Sequence, residues 1–81
     1  MKNVSVIRTK DFYIACVLRA LGFPLSSLER TQRNLATFVF EDKESKASEV
    51  ISGYWDKKIS IDARSFVEAI NELKTRIYSH Q

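Results

Sequence analysis

Any chemistry in this chain must come from a short inventory of side chains. Four carboxylates gather at Glu41, Asp42, Glu44 and Glu49, and paired carboxylates can hold a magnesium ion or move protons. Here they fall where a helix is expected to open. A carboxylate at that place satisfies free backbone amides and suits the helix dipole, so a structural role is expected. The one cysteine, Cys16, lies inside the apolar run 13–18 and reads as an inert core thiol. The one histidine, His80, stands next to the last residue, where fraying leaves no fixed base for a triad or dyad. One cysteine and one tail histidine do not assemble a zinc site. Gly22 and Gly53 are isolated, so there is no phosphate-cradling glycine loop. The expectation is a protein without enzymatic activity, metal or cofactor.

Binding chemistry has two candidate locations. The first is a polar, basic turn over residues 31–34. Arg30 and Arg33 flank Thr31 and Gln32, and Asn34 closes the turn; two arginines with three polar donors can hold phosphates. Arg8 and Lys10, with Lys2, extend the same basic surface if the first strand ends nearby. Residues 1–40 carry six basic residues against two acidic ones, while 41–81 carry seven against eight, so the positive charge is concentrated in the first half. No aromatic stands in this patch for base stacking. The same residues would also serve as a solvated turn. Lys57, Lys58 and Arg64 form a secondary basic group. The second location is the pair Tyr54 and Trp55, expected at the core and its rim, or as an anchor for a partner or a second copy.

The elements that position these residues follow from periodicity. Residues 4–8 alternate as a short strand. Thr9 is expected to cap a helix over 11–21, with Asp11 in its first turn. That helix is apolar almost all round, which requires burial on most sides. Gly22 ends it and Pro24 prevents its continuation. Residues 24–30 read as extended, with Leu25 and Leu28 inward. In 35–40, Ala36, Phe38 and Phe40 share one face and Leu35, Thr37 and Val39 the other. Both faces are mostly apolar, as in a central strand. Asp42 is expected to cap a second helix whose stripe is Ala47, Val50, Ile51, Tyr54 and Trp55. Gly53 lies off that stripe and has no evident role. Residues 57–62 form a connector in which Ile59 and Ile61 could add a brief edge strand. Asp62 caps the last helix, with Phe66, Ile70, Leu73 and Ile77 as its seam and Val67 beside it.

The order is therefore β-α-β-β-α-(β)-α. A right-handed crossover makes the first strand parallel to the second, and a hairpin makes the third antiparallel to both. The third then sits between them, giving an antiparallel sheet of order 1-3-2 covered by two or three helices, an α+β fold. Eighty-one residues make a single domain, 1–81. With 44% hydrophobic residues and nine aromatics, such a chain can fill one core without a disulfide. The lone cysteine favours a cytoplasmic location. The first residues lack the apolar segment of a signal peptide, and no run approaches the ~20 residues of a membrane span, so no membrane partner is expected.

Taken as a set, the run 8–25, the Glu29 and Arg30 pair, the FVFED at 38–42, the Tyr54 and Trp55 pair and the final FVEAINELKTRIY resemble a small domain family of unknown function that occurs in prokaryotic genomes, phages and mobile elements. The resemblance spans residues 7–78. It implies a compact α+β domain and carries no catalytic residues over. A phage or mobile-element setting would favour two roles. One is a nucleic-acid-binding accessory protein acting through Arg8, Lys10, Arg30 and Arg33. The other is a protein-interaction module, either a homodimer or an inhibitor of a host or defence protein.

Overall fold

In the computed structural model, residues 5–32 and 35–79 are described. The chain forms β1 (Val6–Thr9), α1 (Phe12–Ala20), β2 (Leu25–Gln32), β3 (Leu35–Glu41), α2 (Ala47–Trp55) and α3 (Ala63–Ser79). The strands make one antiparallel sheet of order β1-β3-β2, as the apolar character of β3 predicts. The expected fourth strand does not form: Ile59 and Ile61 lie in irregular chain between α2 and α3.

Register sorts the side chains. Ile7 pairs with Phe40, Thr9 and Leu28 flank Phe38, and Arg30 pairs with Ala36. This set faces the helices, and Phe38 and Phe40 are fully buried there against Ile14, Leu18, Ala69 and Leu73. The rings of Phe12 and Phe38 meet at 6.2 Å. Arg8, Val39, Ser27, Thr37 and Glu29 share the opposite face. Irregularities between Leu25 and Ser27 and between Arg30 and Gln32 bend β2, which lies at an edge of the sheet.

Helix α1 is apolar on most sides because it is enclosed on most sides, with Ile14–Leu18 buried and Tyr13 left exposed. The sheet lies beneath it, α2 and α3 pack against it, and Ile59 and Ile61 of the connector join its Val17 around one cavity. Asp11, not Thr9, caps α1: its Oδ1 accepts from the amides of Tyr13 (2.9 Å) and Ile14 (3.1 Å), while Thr9 Oγ1 accepts from the Asp11 amide. At the other end, the amides of Phe23 and Gly22 donate to the carbonyls of Leu18 and Arg19. Gly22 takes a φ of +98°, the left-handed turn that glycine adopts without steric cost.

Helix α2 begins later than the acidic residues suggested. Asp42 caps it from a distance, accepting from the amides of Lys46 (2.8 Å) and Ala47 (3.2 Å). The helix ends in the same pair of bonds as α1: Lys57 donates to Tyr54 and Lys58 to Gly53. Here the left-handed residue is Lys57, with φ +62°. Gly53 has a role that its sequence position hides. A Cβ there would stand 2.9 Å from Ile59 Cδ1, so its absence lets the connector fold back onto the helix. In α3 the buried seam is Ala69 and Leu73, with Phe66, Ile70 and Ile77 half-buried; Val67, expected beside the seam, is 53% exposed.

Candidate functional site

Most of the carboxylates are engaged in helix caps or ion pairs, while Glu49 is exposed in the first turn of α2. Asp11 and Asp42 hold the amides described above, and Asp62 Oδ2 accepts from the amide (3.0 Å) and hydroxyl (3.3 Å) of Ser65. Glu41 lies 3.8 Å from Lys43, and Glu44 3.5 Å from Lys46. A cavity of about 510 Å³ opens beside them, between the end of α1 and the start of α2. Its most buried carboxylate is Asp42, already committed to the helix. Among the described residues, no group of three or more His, Cys, Asp or Glu is placed to hold a metal ion. Cys16 is fully enclosed. Burial pushes its thiol up from an ordinary 9.0 to about 11; the nearby Lys74 opposes that shift and Asp11 adds to it. Such a thiol is protonated and shielded at neutral pH. His80 lies outside the described residues.

The basic residues do not converge. Val39 and Ala36 point to opposite faces of β3, so their partners Arg8 and Arg30 do as well. Arg8 crosses the middle strand to Glu29 at 3.5 Å, on the face away from the helices. Arg30 turns toward them, and its guanidinium donates to the carbonyl of Ile77 in the last turn of α3. It is half-buried, not the solvated turn residue expected. Lys10 is exposed just beyond β1, and Arg33 lies outside the described residues. In the secondary group, Arg64 pairs with Glu68 at 3.3 Å.

The aromatic residues present a different picture. Trp55, expected at the core rim, is 62% exposed. Its ring meets that of half-buried Tyr54 edge-on at 5.1 Å. Tyr54 lines a second cavity of about 390 Å³, together with Val17, Lys57, Ile59, Ile61 and Phe66. Tyr13 stands one helical turn before Val17 on α1, hence on the same face, and is 57% exposed. The helical layer thus exposes Tyr13 on α1 and Trp55 on α2, and a small apolar hollow lined by Tyr54 opens beside the end of α2. Two isoleucines in an otherwise polar connector were the sequence's signal for that hollow; their alternation resembled a strand instead.

Helices stacked on one face of a three-stranded antiparallel sheet define a small α+β domain. The chain belongs to the family described as a domain of unknown function, DUF5659, whose model matches residues 5–79. No curated protein and no solved structure matches the chain significantly. Among the described residues, no helix is long and apolar enough to cross a membrane.

Proposed function

We propose that this domain is a non-enzymatic protein-interaction module whose contact surface is the helical face bearing Tyr13, Tyr54 and Trp55. The exposure of Trp55 carries the reading. Tryptophan and tyrosine are enriched among the residues that anchor protein interfaces, and Trp55 is held against Tyr54 yet open to solvent. The carboxylates favour this reading too, because helix caps hold Asp11, Asp42 and Asp62 and ion pairs hold Glu41 and Glu44. The partner is a second copy or another protein, and a single, buried cysteine, Cys16, suits a reducing, cytoplasmic setting.

Nucleic-acid binding through Arg8, Lys10, Arg30 and Arg33 draws less support. Glu29 engages Arg8, and Arg30 is directed to the end of α3. The test is Trp55→Ser, which should leave the melting temperature nearly unchanged because the ring is exposed. Sedimentation over a range of concentrations and capture with tagged protein should both lose the wild-type association. Association identical in the two proteins would place the contact elsewhere.

A further inference from the structure

We propose that the hollow beside the end of α2 receives an apolar side chain from an acidic segment of a partner protein, with Lys57 at its mouth pairing the partner's carboxylates. This rests on the protein-interaction reading above and specifies the partner's chemistry. The walls are Val17, Tyr54, Ile59, Ile61 and Phe66, and Lys57 is the charged residue among the lining. Exposed Lys58 follows it. None of the ion pairs among the described residues involves either lysine. An apolar hollow with Lys57 in its lining, followed in the chain by exposed Lys58, is complementary to an apolar residue flanked by Asp or Glu.

The backbone adds an independent argument. Helices α1 and α2 end in the same two-bond turn, and the residue that must take positive φ is Gly22 in one and Lys57 in the other. Glycine enters this conformation freely, whereas a residue with a Cβ is strained there. Turn chemistry alone therefore selects against lysine at 57. Strain retained beside an open hollow points to a use for the side chain.

The experiment titrates three capped hexapeptides into the full chain: Glu-Glu-Leu-Phe-Glu-Glu, its Lys-Lys-Leu-Phe-Lys-Lys twin, and Glu-Glu-Ser-Ser-Glu-Glu. Trp55, the single tryptophan, reports binding by fluorescence, and Ile59 and Ile61 methyl shifts locate it. The acidic apolar peptide should bind in the range of about 0.1–5 mM, and each of the others at least about tenfold more weakly. Lys57→Gly should raise the melting temperature, through relief of strain, and weaken the acidic peptide about fivefold or more. Equal affinity for the twins, binding unchanged in Lys57→Gly, or no saturation by any peptide would overturn the proposal. So would a preference for single-stranded DNA or phosphatidylserine vesicles that depends on Lys57. Partner association lost in Trp55→Ser but intact in Lys57→Gly would overturn this proposal and leave the interaction reading standing.

Discussion

The guanidinium of Arg30, on β2, donates to the carbonyl of Ile77, one of the last carbonyls of α3 and therefore without a partner inside its own helix. A cation at a helix C-terminus also meets the negative end of the dipole. Arg30 thus ties the hairpin to the end of the longest helix. Arg30→Gln should cost about 1–2 kcal/mol and speed amide exchange in the last turn of α3. Denaturant melts and hydrogen exchange will show it. A change within about 0.5 kcal/mol, the usual range for a surface substitution, would return Arg30 to the solvated residues available to an anion.

Phe38 sits mid-strand on the covered face of β3, between Thr9 and Leu28 and beneath the Phe12 ring. Removing it opens a void that three elements would have to fill. Phe38→Ala should cost about 3–5 kcal/mol, most of what a domain of this size has. Thermal melts decide it: a cooperative transition within a few degrees of the parent would contradict the observed packing.

Local pattern foretold the parts of the fold that depend on local pattern. The two-sided apolar sequence of β3 is what a middle strand needs, and the sheet order followed from it. The mostly apolar α1 declared that it would be enclosed on most sides. What could not be read were distant pairings. Nothing around Arg30 in the sequence indicates that a carbonyl 47 residues away would receive it. Trp55 obeys the α2 stripe but falls at its last residue, beyond the neighbours that cover Tyr54. Ile59 and Ile61 alternate as a strand would, yet Ile59 lies against Gly53 and both line the hollow that Val17 also borders.

The two glycines should respond differently to alanine. At Gly22 a Cβ would meet nothing within 4 Å, but φ is +98°, so Gly22→Ala should cost about 1–2 kcal/mol from backbone strain alone. At Gly53 the obstacle is the end of the Ile59 side chain. Alanine gains about 1 kcal/mol of helix propensity there and loses it to the clash. In an Ile59→Val background, which removes that methyl, Gly53→Ala should be more favourable than in the parent. A double-mutant cycle from chemical denaturation measures the difference, and a coupling near zero would mean that Gly53 does not make room for Ile59.

Glu72 on α3 receives Arg19 Nε from α1 at both carboxylate oxygens, 3.1 and 3.2 Å, and also pairs with Arg76 at 3.5 Å. All three side chains are partly solvated, so the stabilisation is modest and screened by salt. A double-mutant cycle of Arg19→Met and Glu72→Gln should give a coupling of ~1 kcal/mol at low ionic strength, reduced by half or more in molar salt. Coupling that persists in salt would show the pair to be better shielded than its exposure implies.

Cys16 sets a limit at alkaline pH. Its thiol is raised from 9.0 to about 11 in the folded chain, so between those values the folded state holds a proton that the unfolded chain releases. The unfolded state then binds fewer protons, and stability falls as pH rises. The contribution is fully present below pH 9, declines from there, and is lost once pH has risen through the folded value of about 11. The span is at most ~3 kcal/mol. Cys16→Ala should cost some packing at neutral pH yet show a shallower loss of stability across this window than the parent. Urea melts of both proteins at intervals from pH 8 to about 11 measure the difference. Parallel curves would mean that the buried thiol titrates alike in the folded and unfolded chains.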